Sequence, residues 1–166
     1  GSEMCIRDSI TGVYLEAGEN VVLVGDLHGR TVGLLIPDWM RQPTLGYQPT
    51  KDPEGWGLKK QEILLHEGVN VINVKKAGNV YVDYFADDPD TAPAVTIHFV
   101  TGKVNGYFDA TVQSNEDWNR LLDNAVSPVM DVKGKYIQLA YPVEQLKKLA
   151  YGKGKELAEN YDKVMQ

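Results

Sequence analysis

Short apolar runs separated by turn residues follow one another from Ile10 to about Phe99. This rhythm is typical of antiparallel β-sandwiches. About eight strands favour a jelly-roll-like arrangement. The predicted strands are Gly12–Leu15, Val21–Val24, Thr31–Ile36, Gln61–Leu65, Val69–Val74, Val80–Phe85, Val95–Val100 and, later in the chain, Tyr136–Ala140.

Two of these strands alternate apolar and other residues, so that one face of each would meet the core. In Val95–Phe99 this alternation directs His98 away from the core. The connections at His66-Glu67-Gly68 and Lys75–Asn79 are short and contain glycine. We therefore expect hairpin turns at both places.

Helical periodicity begins only after residue 113. Ser114 and Asp117 have the spacing of a capping box, which predicts a helix from Ser114. A second helix is expected after Pro142, and a third over roughly Lys155–Met165. The last helix reaches the end of the sequence without a glycine cap, which indicates that the domain continues.

The elements together predict a mainly β fold, an antiparallel jelly-roll-like sandwich followed by short C-terminal helices. The sandwich would occupy residues 10–112, and residues 113–166 would hold the helices and the late strand. Residues 1–9 are interpreted as a cloning scar and a non-native leader and are left out of the fold. Without Cys5, no cysteine remains for a disulfide or a thiolate metal site, and the compartment stays open.

Charge and hydropathy argue against a nucleic-acid partner and against a membrane-spanning segment. The formal net charge is −6, whereas binding to a phosphate backbone needs lysine and arginine concentrated on one face. No apolar run approaches the roughly 20 residues that cross a bilayer. We therefore expect neither a nucleic-acid partner nor a membrane span.

The string His66-Glu67-Gly68-Val69-Asn70 begins like the zinc motif His-Glu-x-x-His, but Asn70 stands where the second histidine is required. That motif also needs a helix, on which residues four apart share a face. We interpret the string as a solvated turn. A site formed by His28, His66 and His98 from separate loops stays open, although His28 lies in a glycine-flanked turn.

The stretch from Pro37 to Lys60 predicts a long loop that carries Trp39, Tyr47 and Trp56. Long loops in compact domains are usually functional or disordered. Aromatic rings could stack on the apolar faces of sugars, which makes these three residues candidates for substrate binding. The simpler alternative is that the rings fold back and hold the loop against the sandwich.

A second candidate loop is acidic. Asp87, Asp88 and Asp90 flank Pro89 and could offer carboxylate oxygens to calcium, although they lack the spacing of a known calcium loop. Aspartates beside a proline also form ordinary turns. No other metal site and no catalytic constellation is predicted.

The region from Asn124 to Met165 follows the Trp118 helix with a proline-containing turn, a strand ending in proline and further helices. Together with the opening strand and turn at Thr11–Glu19 and the aromatic turn at Gly106-Tyr107-Phe108, this order resembles the enhancin-like metallopeptidases. The resemblance covers nearly all of residues 10–166. It is looser at Ser127-Pro128 and Asp131-Val132, where relatives usually carry Ala-Pro and an acidic-Leu pair.

The resemblance implies a parent protein that cleaves mucin-like glycoproteins with a zinc-bound water and is secreted or displayed by a gut-type bacterium. The family's His-Glu-x-x-His signature would lie C-terminal to this chain, so no residue here inherits it. The chain would be a non-catalytic portion without its own cofactor, packed beside the catalytic helices and in contact with mucin-type glycans.

Two other functions stay open. An autonomous carbohydrate-binding module would need Trp39, Tyr47 and Trp56 to form an exposed platform. A structural adhesion or assembly sandwich would need an exposed apolar patch.

Overall fold

A computed structural model describes residues 2–6, 10–38, 60–85, 94–136 and 138–165. Strands dominate this part of the chain, and short helices follow, which confirms the predicted fold class. The strands are β1 (Ser2–Ile6), β2 (Ile10–Leu15), β3 (Gly18–Val24), β4 (Thr31–Pro37), β5 (Lys60–Leu64), β6 (Gly68–Val74), β7 (Gly78–Phe85), β8 (Val95–Phe99), β9 (Lys103–Val104), β10 (Phe108–Asp109), β11 (Val129–Lys133) and β12 (Gln138–Pro142). The helices are α1 (Asn115–Asp123), α2 (Val143–Leu149) and α3 (Gly154–Met165).

The chain divides into two compact units, with a boundary between Val104 and Asn105. The first unit contains two sheets, with strand orders β1-β8-β3-β6 and β5-β4-β7-β2-β9. Every strand pair in these sheets is antiparallel. Both sheets contribute to one aliphatic core, so the first unit is a β-sandwich. The finer jelly-roll assignment stays a prediction.

Period-two alternation explains how β8 faces the core. Val95, Ile97 and Phe99 are buried, whereas Thr96 and His98 are only half-buried. Because successive side chains of a strand point to opposite faces, the apolar set meets the core as one row. The predicted outward direction of His98 is confirmed.

The two predicted hairpin turns are wrong. β5 pairs with β4, whereas β6 pairs with β3 in the other sheet, so His66 and Glu67 lie in a crossover between the sheets. The connection from β6 to β7 crosses between the sheets in the same way. Apolar periodicity shows which face of a strand is buried but not which strand lies beside it.

Residues excluded from the predicted fold form β1, which pairs antiparallel with β8. The exclusion of these residues from the fold is therefore wrong for β1. The interpretation of residues 1–9 as a cloning scar and a non-native leader stays a prediction.

The second unit contains, among its described residues, the three helices and the sheet β10-β11-β12. The capping box at α1 is confirmed, because the Ser114 hydroxyl accepts from the Asp117 N–H while the Asp117 carboxylate accepts from the Ser114 N–H. Strand β11 was not predicted. Four of its five residues are buried, including Asp131, so its sequence shows no simple alternation.

Candidate functional site

The aromatic residues predicted to bind substrate are Trp39, Tyr47 and Trp56, and they lie outside the described residues. The calcium candidates Asp87, Asp88 and Asp90 lie outside them as well. Both assignments stay predictions. The structure does describe the strands at the two ends of the stretch from Pro37 to Lys60, which we call the aromatic segment.

Both ends of that segment lie at one edge of the sandwich. β4 ends at Pro37 and β5 begins at Lys60, and these two residues are register partners. Asp38 is mostly buried and accepts a hydrogen bond of 2.9 Å from Lys76 Nζ. Ile36, Pro37, Gln61 and Lys75 line a depression of about 290 Å³ beside this ion pair. The sandwich therefore holds both ends of the aromatic segment next to a partly polar depression.

The string His66-Glu67-Gly68-Val69-Asn70 lies where the chain leaves one sheet after β5 and enters the other at β6. We call such a place a corner. The Asn70 side chain is buried and donates to the carbonyl oxygens of His66 at 2.8 Å and Gly68 at 3.3 Å. Its Oδ1 accepts from the His66 N–H at 3.0 Å. The side-chain amide thus satisfies backbone groups that a crossover would otherwise bury unpaired. Asn70 has a folding role here. The string contains no helix, but the predicted solvated turn is only partly right, because Gly68, Val69 and Asn70 begin β6 and the Asn70 side chain is buried.

A second corner repeats this arrangement at Asn20. Its side chain donates to the carbonyl oxygens of Glu16 at 2.9 Å and Gly18 at 3.2 Å. The glycine two residues earlier has a positive φ in both corners, 107° at Gly18 and 91° at Gly68. The shared sequence Gly-x-Asn is the local signal from which both corners could have been predicted.

The remaining two histidines lie in different segments of the first unit. His28 lies in the connection between β3 and β4 with φ 54°, and its N–H donates to Asp26 Oδ1 at 2.7 Å. His98 lies on the outer face of β8. Across the described ranges, no three histidine, cysteine, aspartate or glutamate side chains form a group that could hold a metal ion. The described donors therefore do not fit a zinc site.

Trp118 is the anchor of the second unit. Its side chain is fully buried, its ring makes an edge contact with Phe108 at 4.9 Å, and its Nε1 donates to the Ala150 carbonyl at 2.9 Å. A Cβ atom on Gly154 would lie 2.5 Å from the indole Cγ. Only glycine can occupy this first position of α3 without displacing the ring.

Helix α3 is also held at its C-terminal half. The buried Asp162 carboxylate accepts from the N–H groups of Lys135 and Tyr136, both at 2.8 Å. Nearby, the hydroxyls of Tyr141 and Tyr161 are hydrogen-bonded to each other. Burial, followed by this hydrogen bond, raises the pKa of Tyr141 above its ordinary value. These contacts fix the helix against the small sheet.

Residues 103–166 match the family model described as "Peptidase M60, enhancin and enhancin-like". This confirms the resemblance to the enhancin-like metallopeptidases. The match begins in β9 and includes every element of the second unit from β10 to α3. Trp118 and Asp162 therefore both lie within the residues that match this family model.

Solved structures extend the likeness to the fold of nearly the whole chain. A metallopeptidase from Bacteroides thetaiotaomicron matches 95% of this chain with a TM-score of 0.76 and 22% identity, over 26% of its own length. A metallopeptidase in complex with Tn antigen matches 95% of this chain with a TM-score of 0.74 and 21% identity, over 28% of its length. The M60 catalytic domain of Clostridium perfringens ZmpC, in complex with the sialyl T antigen, matches 99% with a TM-score of 0.68 and 15% identity, over 39% of its length.

The chain therefore spans well under half of each of these structures. No curated protein sequence matches it. Within the described ranges, no helix is long and apolar enough to cross a membrane.

Proposed function

We propose that this chain is a non-catalytic portion of a bacterial zinc metallopeptidase that acts on mucin-like glycoproteins. The observation that carries the proposal is the enhancin-like match of residues 103–166 in a chain that spans 26–39% of the metallopeptidase structures above. Zinc and the catalytic groups would come from another portion of the same protein. Secretion or display at the cell surface fits a glycoprotein substrate outside the cell.

In this proposal the two units of the chain have different tasks. The second unit presents α2 and α3, held by Trp118 and Asp162, as a rigid support for the catalytic portion. The sandwich fixes both ends of the aromatic segment, which would contribute contacts to the substrate.

The direct test measures zinc and hydrolysis on the purified 166-residue chain. We expect no stoichiometric zinc after equilibration and no cleavage of mucin, because the described donors form no metal site. A longer version of the same protein that includes a His-Glu-x-x-His segment is the positive control. Mucin cleavage by the short chain that a chelator abolishes would overturn the proposal.

A second candidate function is glycan binding by this chain alone. It is favoured by two similar structures, one in complex with Tn antigen and the other in complex with the sialyl T antigen. Calorimetric titration with a Tn-bearing glycopeptide should show saturable binding that Trp39→Ala or Trp56→Ala weakens, because sugar stacking needs the indole face. Tyr136→Ala, which removes an exposed ring in the second unit, is the control. Absence of saturable heat, or equal binding by all variants, removes this candidate.

A further inference from the structure

The free edge of β6 carries an unusual cap. β6 is the end strand of its sheet, and no described strand pairs with its outer edge. Near the C-terminal end of β6, Gln61 Nε2 donates to the Asn73 carbonyl at 2.7 Å and Gln61 Oε1 accepts from the Lys75 N–H at 2.9 Å. One side-chain amide thus makes the two hydrogen bonds that a neighbouring strand would make there.

These bonds reveal the direction of the remaining backbone groups. In an antiparallel ladder, successive residues point their N–H and C=O groups toward opposite edges. Because Asn73 and Lys75 point outward, Val69 and Val71 point outward as well, and the even-numbered residues face β3. β3 agrees, since the carbonyl of Val21 accepts from the Val100 N–H on the β8 side. The backbone of Val69 and Val71 is therefore positioned to pair with an added strand.

The side chains of this edge offer little protection against such pairing. Val69 and Val71 are 60% and 62% exposed, and Gly68–Val74 contains neither a charge nor a proline. Natural sheets usually protect an exposed edge with one of these devices. Charges flank the strand instead, with Glu67 before it and Lys75 after it. The Glu67 carboxylate is held in place by the Leu27 N–H at 2.9 Å.

We propose that the outer edge of β6 pairs with β6 of a second copy of this chain. An antiparallel pairing centred on Val71 sets Glu67 of each copy opposite Lys75 of the other, so both ends of the new ladder carry opposite charges. Val71 then lies opposite its own equivalent and exchanges two backbone hydrogen bonds with it. The Gln61 amide competes with this ladder and must leave both Asn73 and Lys75 before the ladder is complete.

Sedimentation velocity over a concentration series tests the pairing. The interface is small, so we expect a weak, concentration-dependent dimer. Gln61→Ala should tighten it by up to about tenfold, because two competing hydrogen bonds are lost. Lys75→Glu should weaken it by about tenfold by facing glutamate with glutamate at both ends. Val71→Pro should abolish the dimer, since it removes an N–H that points to the free edge and leaves the bonds to β3 intact.

Val71→Thr is the matched control, because it keeps the N–H and should leave dimerisation within about threefold of the original. Circular dichroism confirms that each variant keeps its strands. A monomer at every concentration, for both the original chain and Gln61→Ala, overturns the proposal. A dimer that Val71→Pro leaves unchanged also overturns it, because the association would then use another surface.

Discussion

In the first unit, aliphatic side chains from two facing sheets share the core, whereas the core of the second unit surrounds one tryptophan. Leu15, Val22 and Leu34 are each fully buried in the first unit, and their aliphatic side chains carry no hydrogen-bonding group. Trp118 packs on Phe108, contacts the site of Gly154 and bonds to Ala150. We therefore expect the free energy of unfolding to depend on many small side chains in the sandwich and largely on Trp118 in the second unit.

Replacement of Trp118 should have the largest effect. Trp118→Ala opens a cavity and leaves the Ala150 carbonyl without its indole donor, so we expect a loss of about 3–5 kcal/mol in the free energy of unfolding. Ile97→Val, a smaller deletion in the sandwich core, should cost about 1 kcal/mol. Urea unfolding followed by circular dichroism measures both. A loss below about 1.5 kcal/mol for Trp118→Ala would contradict the idea of a concentrated core.

The Asn70 corner tests the sandwich. Asn70→Ala should cost about 1–3 kcal/mol, because it leaves the His66 N–H and two carbonyl groups without the amide. Asn73→Ala, on an exposed position of the same strand, should stay within about 0.5 kcal/mol. Equal effects at the two positions would show that the corner amide adds no stability.

A substitution at the same residue tests whether the sequence His-Glu-x-x-His binds zinc when it does not lie on a helix. Asn70→His completes the string His-Glu-x-x-His but places it on a crossover that leads into a strand. We expect no gain in zinc affinity by calorimetric titration, because the motif binds metal only on a helix. A new site of micromolar affinity would contradict this reasoning.

Adding a methyl group distinguishes the packing around two glycines. Gly154→Ala should cost about 1–3 kcal/mol, because its Cβ would lie 2.5 Å from Trp118. At Gly25 in the first unit, the nearest atom to an added Cβ is 3.5 Å away, an ordinary contact. Gly25→Ala should therefore change stability by no more than about 0.5 kcal/mol. Thermal unfolding of the two variants makes the comparison.

The smallest expected effect is a pH dependence specific to the second unit. The folded state raises the pKa of Tyr141 above the ordinary value of 10.0. A raised tyrosine pKa gives stability that is present below pH 10 and is lost as the pH rises toward the folded-state value. Urea titrations between neutral pH and about pH 11 should show this loss, and Tyr141→Phe should reduce it. Tyr136→Phe, at an exposed ring, should retain the original slope.

Much of the fold could be predicted because its signals are local. The strand and helix positions come from apolar periodicity, and the first helix begins at the predicted Ser114 cap. The long connection between β4 and β5 has the predicted ends at Pro37 and Lys60. The candidate ligand residues within it stay predictions, since a loop without periodicity does not specify where its side chains point.

The sequence by itself determined most of the strand and helix segments, although not β1 or β11, the buried face of alternating strands such as β8, and the enhancin-like order of the later elements. Only the tertiary structure decided that β5 and β6 belong to different sheets, that Asn20 and Asn70 close the crossovers, and that β11 is buried on both faces. The physical reason is distance along the chain. A repeat of two or 3.6 residues is set by neighbours, whereas sheet pairing and the satisfaction of buried backbone groups depend on partners tens of residues away.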